Sequence, residues 1–89
     1  MFVITETWTV RLFDVFSLKD KRSHREKIIK GKLKASYIAA AEIEHHDNQT
    51  VLVIGIAVVA QNQKELEQRY QHAYDSVASE YDFTKEEYV

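Results

Sequence analysis

From Val51 to Ala60 the chain carries no charged or polar side chain, and six of the ten residues are valine or isoleucine. A bilayer-spanning helix needs about twice that length, and the β-branched content argues a strand. A strand this apolar, read from Thr50 to Ala60, belongs in the middle of a sheet covered on at least one face. The rest of the chain must therefore supply strand neighbours and a covering layer. Gly55 within the run predicts a close approach by another backbone or side chain.

The neighbours are visible in the pattern. From Thr5 to Leu12 residues alternate, with Trp8, Val10 and Leu12 facing one way and Thr5, Thr7, Thr9 and Arg11 the other. Ser17 with Asp20 has the spacing of a helix N-cap, predicting a helix from Leu18 to about Lys34. Leu18, Ile29 and Leu33 align as its thin apolar stripe, with Ile28 at the edge and Arg22 and Arg25 on or beside it. Gly31 falls opposite that stripe. Tyr37 to His45 is strand-like, and His46 to Gln49 supplies turn residues. Asn62 with Glu65 repeats the capping signature. Leu66, Tyr70, Ala73, Tyr74, Val77 and Tyr81 then mark a second helix ending near Glu80, and Phe83 to Val89 can form a short last strand.

The resulting order, βαββαβ, predicts an α+β, ferredoxin-like fold: a four-stranded antiparallel sheet with both helices on one face. Strands one and three lie in the middle. The uncovered face carries Thr5, Thr7, Thr9 and Arg11 beside Val51, Val53, Ala57 and Val59, and that much exposed valine calls for a partner. With 89 residues and a 45% hydrophobic content, the expectation is one domain over 1–89 with one modest core. The chain has no cysteine, which excludes disulfide staples and thiol chemistry and fits a cytoplasmic location. No leader pattern opens the chain and no segment suits a membrane, so a soluble protein is expected.

Charge is divided unevenly. Eight of the twelve Lys and Arg fall in residues 19–34 against two acids, Asp20 and Glu26, whereas the whole chain carries a formal −2. A split this sharp points to a binding surface more than to a reaction centre.

Ser17-Leu18-Lys19-Asp20-Lys21-Arg22, Ala41-Glu42-Ile43 and Gly55-Ile56-Ala57-Val58-Val59 resemble the motifs of the YlxP-like family of small bacterial proteins of unknown function. That family typically shows S-L-K-[ED]-K-R, A-E-V, D-L-W-Q-R and L-G-[IV]-A-V-V, and the spacing here matches without gaps over most of residues 1–80. The resemblance implies a ferredoxin-like fold. Family members are often encoded beside translation factors and a ribosome-maturation factor, which implies a place near translation. The chain departs from the pattern at Asp47-Asn48-Gln49-Thr50-Val51, which lacks the family's tryptophan and arginine, and at His24 and Arg25, where aliphatic residues are usual.

The sequence therefore predicts a small cytoplasmic accessory protein that touches RNA or the ribosome through its first helix, with Lys19, Lys21, Arg22, Arg25 and Lys32 meeting phosphate. The alternative is a homo-oligomeric or protein adaptor module using the open sheet face. A solvated helix face, with arginine stems lying over the core edge, is the plain reading of the same charges. Glu42, Glu44, His45, His46 and Asp47 are the one metal-like cluster, better read as hairpin polar residues because no cysteine or paired-histidine motif completes a site. Ser17 is explained by capping, no G-x-S-x-G or glycine-rich phosphate cradle occurs, and the expectation is no enzyme, no cofactor and no small-molecule substrate.

Overall fold

The computed structural model describes residues 1–87. Its elements are β1 (Phe2–Arg11), α1 (Leu18–Glu26) running on into a π-helical segment (Lys27–Lys32), β2 (Ile38–Glu44), β3 (Val51–Ala60), α2 (Gln63–Ala78) and β4 (Asp82–Glu87). The strands form one antiparallel sheet in the order β2-β3-β1-β4. This is the ferredoxin-like βαββαβ arrangement, an α+β fold with the two most apolar strands at the centre. β4 pairs with β1 from Glu6↔Glu87 to Arg11↔Asp82; the part of the expected last strand at residues 88–89 lies outside the described residues.

Alternation assigns each side chain to a face. On the helix side Trp8 and Val10 of β1 meet Leu52, Ile54, Ile56 and Val58 of β3, all at most 3% exposed. Leu66, Ala73 and Val77 of α2 and Ile28 and Leu33 of the first helical arm close this core from above. Trp8 is its hub, edge-on to Tyr70 and Tyr74 at 6.4 and 6.0 Å and tilted against Phe83 at 4.7 Å, geometries that suit the ring quadrupoles. Glu6, also on that face, accepts hydrogen bonds from Trp8 Nε1 (2.8 Å) and Tyr70 Oη (2.6 Å), so the indole N–H and the Tyr70 hydroxyl are both satisfied.

Both predicted caps form. Ser17 Oγ accepts from the Asp20 amide at 3.1 Å while Asp20 Oδ2 accepts from the Phe16 amide, and Asn62 Oδ1 accepts from the Glu65 amide. The inward stripe of the first helix, however, differs from the expected one. Lys21 is the buried residue of α1, Ile28 is fully buried, and Leu18 is 44% exposed. The cause is the π segment, where the Leu33 amide reaches back five residues to the Ile28 carbonyl at 2.8 Å. Each wide turn takes in an extra residue, so Ile28 and Leu33 stand one above the other on the core face instead of diverging as they would in an α-helix. Tyr81, expected at the end of the second stripe, lies in the link to β4, where its hydroxyl meets His24 Nδ1 at 2.8 Å.

On the opposite face Thr5 lies beside Ala57, Thr7 beside Gly55 and Thr9 beside Val53. The close approach expected at Gly55 comes from Ile43, displaced over it by a bulge between Glu42 and Glu44; a Cβ at Gly55 would stand 3.0 Å from Ile43 Cγ2. No described helix is long and apolar enough to cross a membrane.

Candidate functional site

The segments Ser17–Arg22 and Ala41–Ile43, far apart in sequence, meet in space. Lys21 sits where an inward helix position meets the end of β2, with its side chain 3% exposed. Its ammonium donates to the carbonyls of His45 (2.7 Å) and His46 (3.4 Å) and lies 2.9 Å from Glu42 Oε2. His45 takes a left-handed φ of 53°, which turns the chain so that these carbonyls face the amine. Arg25, one turn along α1, donates to Glu42 Oε1 at 3.1 Å. The contact between Lys21 and Glu42 Oε2 is ionic without hydrogen-bond geometry, which leaves this buried oxygen with no hydrogen-bond donor.

The electrostatics of Glu42 follow from these neighbours. Burial pushes its carboxyl up, but the close ammonium of Lys21 and the hydrogen bond from Arg25, with His46 nearby, more than reverse this and hold it below the usual carboxylate range. The arrangement is a latch: α1 presents no buried apolar side chain to the sheet and is docked at its N-terminal end through an ion pair. Lys21 is therefore withdrawn from the expected surface, because its charge is used inside the molecule.

The other cations of the segment divide into two sets. Arg25 is one-third exposed and shared between Glu42 and Glu26. Lys32, 18% exposed, lies 3.6 Å from Glu80, which also pairs with Lys27, and Lys30 pairs with Glu26 at 2.8 Å. These contacts hold the Glu26 and Glu80 carboxyls low and the Lys27 amine high, in each case chiefly through the hydrogen bond between the partners. Lys19, Arg22 and Lys34 are exposed and have no acid partner among the described residues. Of the five residues expected to meet phosphate, the structure thus leaves Lys19 and Arg22 free at the surface, places Arg25 and Lys32 in ion pairs, and buries Lys21. Lys27, Lys30 and Lys34, absent from that expectation, share the outer side of the arm.

Near the hairpin, Glu42 turns to Lys21 while Glu44 and His45 point to solvent; no three His, Asp or Glu among the described residues come together as metal ligands. The open sheet face has Val3 54% and Ile43 38% exposed, with Ala39 and Ala41 beside them and no described element above.

A ferredoxin-like domain with a cationic helical arm and a bare sheet face defines a class of small α+β proteins, not an activity. The chain belongs to the family described as "Protein of unknown function (DUF503)", whose model matches residues 3–88. No curated protein matches it.

Proposed function

We propose that this protein is a cytoplasmic accessory factor that binds the phosphate backbone of RNA through the outer side of its first helical arm, without a chemical step of its own. The observation that carries this reading is the charge left over after internal pairing. Counting Glu42 and Glu80 with the segment, its eight cations face four acids, and three of the cations, Lys19, Arg22 and Lys34, have no described partner. The pairs of Lys27 and Lys30 are exposed, where solvent screens the attraction, so each yields easily to a phosphate. The family resemblance, with its setting among translation factors, supports the same reading. Fluorescence anisotropy with a short labelled RNA tests it: the double variant Lys19→Glu, Arg22→Glu binds more weakly than wild type at low salt, with an unchanged fold. Equal binding by the two proteins contradicts the reading.

The open sheet face favours a second reading, a homo-oligomer or protein adaptor, on the strength of exposed Val3 and Ile43 around a patch of alanines. Sedimentation velocity across a concentration series separates the two: association that Ile43→Lys abolishes, with no RNA binding, supports the adaptor.

A further inference from the structure

The outer edge of β2 is an unguarded strand edge beneath a basic lip. The Val59 amide donates to the Tyr37 carbonyl, so by the two-residue alternation of an antiparallel ladder residues 37, 39 and 41 face β3. Ile38, Ala40 and Glu42 therefore turn their backbone groups outward. The Ile38 amide is occupied by the Ala35 carbonyl at 3.1 Å, whereas the Ala40 N–H and C=O have no described partner. Over residues 38–41 the strand has none of the usual protections of an edge, neither charge nor proline; its glutamates, Glu42 and Glu44, and its bulge lie at the far end. Beside it runs a groove of about 760 Å³ floored by Ile29, Leu33, Ile38 and Ala40. Lys30, with a 76% exposed side chain, and Lys34 stand on its lip.

We propose that this edge binds an acidic, extended protein segment, which adds to the sheet as a strand beside β2. Backbone hydrogen bonds to Ala40 and its neighbours supply the pairing, and alternate side chains take opposite faces. On the helix side, glutamates lie with their methylene stems along Ile29 and Ile38 and their carboxylates at Lys30 and Lys34. On the other side, apolar residues continue the row of Ala39 and Ala41. A second copy is the poorer occupant, because edge-to-edge pairing of β2 brings the two sets of lip lysines against each other. The inference shares Lys30 and Lys34 with the RNA reading, but that reading is tested at Lys19 and Arg22, so each can fail without the other.

The probe is a fluorescein-labelled peptide of alternating glutamate and valine, with the lysine–valine peptide of the same pattern as control. Wild type binds the acidic peptide and not the basic one, and the amides of Ala40 and Glu42 show the largest shifts in a two-dimensional NMR titration. Lys30→Glu with Lys34→Glu weakens binding about tenfold, the effect of losing two exposed ion pairs. Ala40→Pro removes only the outward N–H, which an edge strand tolerates, and also weakens binding. Should that variant unfold, the lysine variants and the NMR map still decide. Equal binding of both peptides, shifts centred away from β2, or a dimer that Ala40→Pro dissociates would overturn the assignment.

Discussion

Lys21 and Glu42 set the energetics at the scale of single residues. Removing one partner leaves a charge stranded in a site where water does not reach, whereas removing both leaves an apolar contact. Lys21→Met is therefore expected to destabilise the protein by about 3 kcal/mol, softened by Arg25, which still meets Glu42, and Lys21→Met with Glu42→Leu to recover most of that loss. Urea denaturation of the three proteins checks this. The same carboxyl gives a pH dependence. Its folded pKa lies below the unfolded value, so the unfolded chain takes up the proton first and acid favours unfolding. The contribution is present above the ordinary carboxylate range and is lost as pH falls through the folded value; Lys21→Met with Glu42→Leu shows a shallower acid limb. At the alkaline end burial, then the hydrogen bond to Glu6, raise the Tyr70 hydroxyl well above the usual phenol range. Here the unfolded chain ionises first, so stability is lost as pH rises past the ordinary tyrosine value, and Tyr70→Phe removes that part of the loss.

Among the elements, the first helical arm is the one whose structure departs most from its sequence pattern. Strands β1 and β3 were readable because alternation and β-branching state their own burial, and both helix starts were readable because a cap is a local hydrogen bond. The wide turns of Lys27–Lys32 have no side-chain signature, and they reset the phase by which Ile28, not Ile29, enters the core. The burial of Lys21 was equally hidden: every group that compensates it comes from the β2 end, 21 to 25 positions further on, and a lysine in a basic run reads as surface. The sequence thus located the cationic arm but not which of its cations internal acids leave free. A Cβ added at Gly31 would meet no atom within 4 Å, and the residue has no positive φ, so Gly31→Ala is expected to raise stability by about 0.5–1 kcal/mol, read as an increased urea midpoint. Gly55→Ala has the opposite sign, since Ile43 must give way at 3.0 Å, and Ile43→Ala in the same chain relieves it.

For the molecule as a whole, the fold separates charge. The formal −2 of the chain is the sum of a cationic arm and an acidic remainder, and the latch at Lys21 fixes that arm to the sheet edge. A field of this shape attracts a polyanion to one side and repels it from the other, which orients an encounter as well as strengthening it. The charge that acts outside the molecule is the part that internal acids do not neutralise, centred on Lys19 and Arg22. Its most direct test is the slope of log affinity against log salt for a short RNA, measured on wild type and on Lys19→Glu, Arg22→Glu. Each phosphate contact adds about 0.7–0.9 to the slope, so the variant's line is flatter by about 1.5 or more. Parallel lines for the two proteins, or wild-type affinity indifferent to salt, would contradict the account.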